Sequence, residues 1–161
     1  MGLEDDIGKL KRNATFAALE LDALRLIAFS AETRILRAGD ILFRRNEPST
    51  GGFVVLSGSI ALDASDLGAT ARIVKPPALI GDTALLTQTV RPATAIAREP
   101  STVLRISRQL FHRVLNEFPG SAERLRQSLA ARLDQFTREL DAVRLSAFSP
   151  SESEPPERRG S

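Results

Sequence analysis

From Glu32 to Ser107 the apolar residues fall into short segments separated by turn-forming residues, and this punctuation limits the fold more than any other feature of the chain. Thr33 to Leu36, Ile41 to Arg44, Phe53 to Leu56, Ile60 to Asp63, Ala71 to Val74, Ala93 to Ala97 and Thr102 to Ile106 read as strands. Between them stand Ala38-Gly39-Asp40, the loop Asn46-Glu47-Pro48-Ser49-Thr50-Gly51-Gly52, Ser57-Gly58, a loop around Ser65 to Gly68, and Pro76-Pro77. Short strands at this spacing, with glycine and proline between them, predict an antiparallel sandwich or roll. On both sides the period turns helical. Leu3, Ile7 and Leu10 predict one amphipathic helix, weakened by Gly8, and a second pattern runs from Phe16 through Leu19, Leu24, Ile27 and Ala28 to Phe29, with Asp22 as a cap or first-turn acid. After Ser107, a candidate N-cap, Leu110, Phe111, Val114 and Leu115 make a short helix ended by Pro119-Gly120. A long helix then starts near Ser121. Its Leu129, Leu133, Phe136, Leu140, Val143 and Ala147 alternate four and three apart, the spacing of a coiled-coil seam.

The expected fold class is therefore α+β, an antiparallel β-roll flanked by N-terminal helices and a C-terminal helix pair. The expected organisation is an N-terminal helical segment over residues 1–30, the roll over 31–107, helices over 108–147 and a tail over 148–161. From Ser149 onward proline is the only apolar residue, so the tail is expected to be disordered.

Composition narrows the chemistry. The 161 residues suffice for one domain with a proper core, and 22 basic against 20 acidic residues, interspersed, single out no nucleic-acid or membrane partner. With no cysteine there is no disulfide, thiolate metal site or iron–sulfur cluster, and a single histidine, His112, excludes a histidine-cluster metal site. No apolar run approaches the ~18 residues of a membrane span. A cytoplasmic protein is expected. No serine sits in a Gly-x-Ser-x-Gly elbow, no nucleophile, base and orienter stand together, and phosphate loops of the Walker or dinucleotide type are absent. The expectation is a protein that is not an enzyme, with no catalytic residue, metal or cofactor.

One stretch points to a ligand. In Leu79 to Ala97, Gly81 and Asp82 open a helix-compatible segment, Thr83 to Leu86; a polar loop follows; and Arg91 arrives just before an alternating strand. Glycine lets backbone approach a ligand, the first amides of a helix are unpaired, and arginine supplies a fork of donors, so the order suits an anion. Gly-Asp-Thr-Ala-Leu-Leu, a spacer, then Arg-Pro-Ala-Thr resembles the phosphate-binding cassette of cyclic nucleotide-binding domains, usually Gly-Glu-x-Ala-Leu and Arg-x-Ala-[Thr/Ser] with a spacer of this length. That family is a β-roll, and Arg-Ala-Gly-Asp-Ile-Leu-Phe and Val-Val-Leu-Ser-Gly-Ser-Ile resemble its opening strands. Asn46 stands where the family often has glycine; asparagine is the next most tolerant of a left-handed backbone.

The resemblance implies that Arg91 grips the cyclic phosphate, that the amides of the helix assist, and that the acidic residue takes the ribose hydroxyl. Carried onto this chain, the ligand-binding residues are Gly81, Asp82, Thr83, Ala84, Leu85, Arg91, Pro92, Ala93 and Thr94. Phe136 and Thr137 sit on the long helix where bacterial members approach the purine; coiled-coil packing for Phe136 and a solvated position for Thr137 are the alternatives. Two residues depart from the pattern. Asp82 replaces glutamate, is shorter by about 1.5 Å, and as an N-cap could instead bind the amides of Ala84 or Leu85. Pro92 has no N–H to offer the phosphate and no hydroxyl to offer guanine, which favours cAMP over cGMP. The implied function is a cytoplasmic cyclic nucleotide sensor whose long C-terminal helix closes over the pocket and forms a homodimer, with output through an effector protein. Nothing after Val143 forms the second helix of a helix-turn-helix, so specific DNA binding is not expected, and the proline-rich end suggests a natural terminus. The rival reading is a degenerate roll serving as a dimerising interaction module, with Arg91 in an internal salt bridge.

Overall fold

The computed structural model describes residues 2–64 and 71–147, apart from the side chains of Leu133, Phe136 and residues 144–147. Three helices, α1 (Leu3–Lys11), α2 (Ala14–Ala17) and α3 (Leu21–Ser30), lead into strands β1 (Glu32–Leu36), β2 (Ile41–Phe43), β3 (Gly51–Ser57), β4 (Ile60–Asp63), β5 (Arg72–Val74) and β6 (Ala78–Ile80). The short α4 (Asp82–Leu86), β7 (Thr94–Ala97), β8 (Ser101–Ser107), α5 (Arg108–Glu117) and α6 (Pro119–Ala147) follow. Residues up to Leu125 form one compact unit and those from Arg126 another.

The eight strands form two antiparallel four-stranded sheets, ordered β1-β8-β3-β6 and β2-β7-β4-β5. Their facing sides close on a core of Leu36, Leu42, Phe43, Phe53, Val55, Ile60, Val74, Ile80, Ala95, Ala97 and Val103. Phe43 of one sheet stacks on Phe53 of the other with centroids 5.8 Å apart, so an aromatic pair ties the layers together. The roll and its helices match the α+β expectation. β6 is the strand that the sequence pattern misses: three residues after Pro76-Pro77 are too few to show a period.

The helices build a second core beside the roll. Ile7 and Leu10 of α1, Leu24 and Ile27 of α3, and Phe111 and Val114 of α5 are all within 2% of full burial. Phe16 meets Phe111 edge to face at 6.2 Å. The apolar pattern from Phe16 to Phe29 is two helices rather than one. Asn13 caps α2 by accepting the Thr15 amide at 2.9 Å, and Glu20, in extended conformation, donates its amide to Ser121 Oγ at 2.9 Å. A tertiary partner for the Glu20 amide replaces the helical one, which local periodicity cannot foresee. Asp22 is then a first-turn acid of α3. The short helix α5 ends before Pro119, as expected, and Pro119 itself opens α6, two residues ahead of the expected start, where its missing N–H costs nothing. Of the expected seam, Leu129 is half-buried and Leu140 and Val143 are 50% and 65% exposed; the side chains of Leu133, Phe136 and Ala147, like the loop 65–68 and the tail expected to be disordered, lie outside the described residues.

Candidate functional site

The chain reverses at Gly81, between β6 and α4, with φ 87° and ψ 45°, a left-handed conformation that glycine adopts without strain. The position needs glycine for a second reason: a Cβ there would stand 2.9 Å from Nη1 of Arg91. The turn thus starts a helix and admits a guanidinium. Gly81, rather than Asp82, is the N-cap, and Asp82 is the first helical residue. Its Oδ1 accepts the Thr83 amide at 2.8 Å, while the Leu85 amide goes to the Gly81 carbonyl at 3.2 Å. The expected cap on Ala84 or Leu85 is therefore not formed: Asp82 lies one position past the cap, and its carboxylate takes the amide of the next residue.

Arg91 is held by the turn after β2. Its N–H donates to the Glu47 carbonyl and its carbonyl accepts the Asn46 amide, both at 2.8 Å. Asn46 has φ 73°, the left-handed conformation its residue type predicts. The side chain is only 5% exposed. Nη2 donates to the Gly51 carbonyl at 2.7 Å, and the guanidinium lies 4.2 Å from the Phe43 ring centroid and 5.6 Å from that of Phe53. Such contacts stabilise a desolvated cation. Among the described residues, no carboxylate forms an ion pair with it. Burial pulls the Arg91 pKa below its ordinary value, and Arg108 and Arg105 add repulsion that Glu47 opposes. A buried cation that, among the described residues, pairs with no carboxylate suits an anion.

A cavity of about 340 Å³ opens onto this cation. Phe43 of β2, Leu62 of β4, Arg72 of β5, and Leu79 and Ile80 of β6 line it, together with Gly81 to Ala84, Thr89 and Arg91 to Ala93. The volume is that of a small-ligand pocket, and the walls pair apolar surface with a few placed polar groups. Of the residues expected at the site, Gly81, Asp82, Thr83, Ala84, Arg91, Pro92 and Ala93 share this one cavity. Leu85 is fully buried and packs in the core. Thr94 is half-buried, and its Oγ1 accepts the Arg45 amide at 2.9 Å, so its hydroxyl serves the turn that carries Arg91. Thr137 is exposed on α6, in the second unit, and the Phe136 side chain lies outside the described residues. His112 has its Nε2 3.0 Å from the Leu86 carbonyl at the end of α4.

Arg108 is absent from the sequence reading and holds the site together. Its Nε donates to the Ala84 carbonyl at 2.9 Å; Nη2 donates to the Ser49 carbonyl at 2.7 Å and to Ser49 Oγ at 3.0 Å. Ser49 in turn exchanges hydrogen bonds with Thr89, through its amide at 2.8 Å and through the two hydroxyls at 3.0 Å. One side chain thereby links α4, the loop before β3 and the loop before Arg91. A signal was present: Arg108 follows the cap Ser107, which accepts the Leu110 amide. A cation in the first turn opposes the helix dipole, so its partner has to come from elsewhere in the fold.

Two antiparallel sheets closed around a cavity, with a left-handed glycine turn, a short helix and a buried arginine at its base, define a small-anion-binding roll. The sequence pattern of the cyclic nucleotide-binding domain matches residues 33–118, more than half of the chain, and the protein belongs to that family. The chain is 27% identical over 137 residues to a cyclic AMP receptor protein of Thermus thermophilus, covering 83% of this chain and 63% of that relative, so it spans less than two thirds of the relative's length. A cyclic nucleotide-binding-like protein from Brucella abortus superposes with a TM-score of 0.64 at 38% identity, over 70% of this chain and 98% of that one. The N-terminal domain of a transcriptional regulator from Streptomyces coelicolor gives 0.75 at 29% identity, over 81% and 94%. Among the described residues, no group of three or more His, Cys, Asp or Glu is placed to hold a metal ion, and no helix is long and apolar enough to cross a membrane.

Proposed function

We propose that this protein is a regulatory sensor of a purine 3′,5′-cyclic monophosphate. The observation that carries the reading is Arg91: 5% exposed, with no ion pair among the described residues, at the wall of a cavity that also exposes the start of α4. Nη2 is engaged by Gly51 and Nη1 faces the Gly81 turn, so the free donors of the fork meet the helix amides in the space where a phosphate would sit. A bound phosphate would neutralise a charge that the folded chain otherwise holds at a cost. Asp82, exposed at the cavity, is the candidate for the ribose hydroxyl.

The regulatory output is proposed to run through α5 and α6 to an effector protein in the cytoplasm, with α6 pairing two copies of the chain. Ligand contacts shift a conformational equilibrium only where they differ between states, and the Arg91 guanidinium is the group whose charge gains a partner on binding. The alternative, an interaction module that binds no nucleotide, draws support from Asp82 and Pro92. It places Arg91 in an internal salt bridge, and the described residues supply none. Calorimetric titration with cAMP and cGMP tests the reading. Saturable binding of either nucleotide at micromolar or lower concentration, lost on changing Arg91, is expected; heats of dilution alone from both would leave the interaction module as the better account.

A further inference from the structure

β1 ends the sheet order β1-β8-β3-β6, so its outer side has no strand partner among the described residues. The other sheet edges are short and protected: β2, β5 and β6 have three residues each, β2 carries a register shift, and Lys75-Pro76-Pro77 separates β5 from β6. β1 has five residues, Glu32-Thr33-Arg34-Ile35-Leu36, with no proline, glycine or lysine among them. Leu36 is buried in the core between the sheets, and the Arg34 guanidinium lies 5.9 Å from the Phe53 ring centroid, so both point inward. Thr33 and Ile35 alternate with them and point outward. Ile35 is 80% exposed, and Phe29, just ahead of the strand, is 79% exposed. An unblunted edge with apolar side chains beside it is a template for another strand.

The charges of β1 select the occupant. A second copy added antiparallel across a two-fold axis keeps each face of the sheet on its own side only if opposed residues both point inward or both point outward, since a one-residue slip turns every side chain over. With the axis at Glu32, two glutamates oppose each other; with the axis at Arg34, two arginines do. Both registers are unfavourable. With the axis at Thr33, Glu32 of each copy opposes Arg34 of the other, which gives two opposite-charge pairs, and Ala31 of each copy opposes Ile35 of the other on the outer face. Within one chain the Glu32 carboxylate lies 3.5 Å from Arg34 and 3.8 Å from Arg105, yet its side chain stays more than half exposed and open to a further arginine.

We propose that β1 pairs with β1 of a second copy about a two-fold axis at Thr33, joining two four-stranded sheets into one of eight strands. The contact is small, in the class of transient interfaces, so it forms at high protein concentration. It is separate from the α6 seam and needs no nucleotide. The chain has no cysteine, so single cysteines on β1 can be read without background. The full chain carrying Leu140→Glu, which weakens the α6 pairing, isolates the contact. In that chain Thr33→Cys puts sulfurs on directly opposed residues with Cα atoms about 4.5–5.5 Å apart, within disulfide reach. Ile35→Cys is also exposed, but its two copies would stand four residues out of register, roughly 13 Å apart. Under mild oxidation Thr33→Cys is expected to form a disulfide dimer at least about ten times faster than Ile35→Cys. Adding Glu32→Arg or Arg34→Glu to Thr33→Cys should each suppress that dimer, and mixing the two should restore it as a heterodimer, because an all-basic edge then meets an all-acidic one. Far-ultraviolet circular dichroism would verify folding, and the comparison of the two cysteines stands without the charge variants. Equal rates for the two cysteines, a cross-link indifferent to charge reversal, no recovery on mixing, or no cross-link at either position overturns the pairing.

Discussion

Arg91 shows what a binding residue does to the fold that contains it. Open to solvent, its removal would touch only the ligand; buried, with its pKa lowered by burial and by Arg108, it also weighs on the ligand-free protein. Arg91→Met keeps most of the volume over Phe43 and removes the charge, and replacing a buried charge by an apolar side chain of similar size is often neutral or stabilising. The ligand-free melting temperature is therefore expected to hold or rise, while nucleotide affinity falls at least about a hundredfold with loss of the charge-assisted phosphate contact, worth roughly 3 kcal/mol. Thermal melts beside calorimetry would measure both; a fall of more than about 5 °C would mean that the bond to Gly51 outweighs the cost of burial. Asp82 and Pro92 act more locally. Asp82→Glu lengthens the carboxylate toward the ribose, and Pro92→Ala restores an amide donor to the phosphate, each expected to gain about 0.5–1.5 kcal/mol of binding. Pro92→Ala can lose up to about 1 kcal/mol of stability, because the unfolded chain is freed. Titration of folded protein separates these effects, and affinity unmoved by either change would remove both residues from the ligand's contacts.

At the scale of elements, α4 depends on groups far from it in sequence. Five residues make no stable helix alone, since nucleation outweighs so few hydrogen bonds. Arg108 of α5 supplies the missing hold through Ala84 and Ser49. Arg108→Gln should leave these carbonyls poorly paired and cost about 1.5–3 kcal/mol, a melting shift of roughly 4–10 °C for a chain of this size. Amide exchange should accelerate in residues 82–90 while the paired strands β3 and β8 stay protected, because the loss is confined to the cassette and its loop. An unchanged melt and exchange map would show the clamp to be dispensable. The cassette's turn, helix and arginine were legible because each has a local cause: a glycine, a short apolar segment, a charge before a strand. The clamp was not, because its partners lie 24 and 59 positions away and a backbone carbonyl leaves no mark on composition.

For the whole molecule, α6 carries the open question of assembly. Leu140 and Val143 are three apart on one face and 50% and 65% exposed, while most of their described neighbours on the helix are polar. A homodimer through this seam is expected to be concentration-dependent, since fewer than three heptads bury little area. Sedimentation should show monomer and dimer exchanging with loading concentration, and Leu140→Glu should shift the equilibrium to monomer. A monomer at every concentration, or a dimer indifferent to Leu140→Glu, would move the interface elsewhere.

The sequence by itself determined most of the strands and helices, the left-handed turn at Asn46 and the glycine turn before α4, because each follows from local backbone preference or from the spacing of apolar residues, and the resemblance of the cassette pointed to Gly81, Asp82 and Arg91 together. The split between α2 and α3, the strand β6, the burial of Arg91 against two aromatic rings, the clamp of Arg108 on Ala84 and Ser49, and the placing of Arg72 at the cavity were decided by tertiary structure. Each depends on what a residue distant in the chain brings alongside, and strand order, which brings Phe43, Leu62 and Arg72 to one cavity, is fixed only when the two sheets close on their shared core.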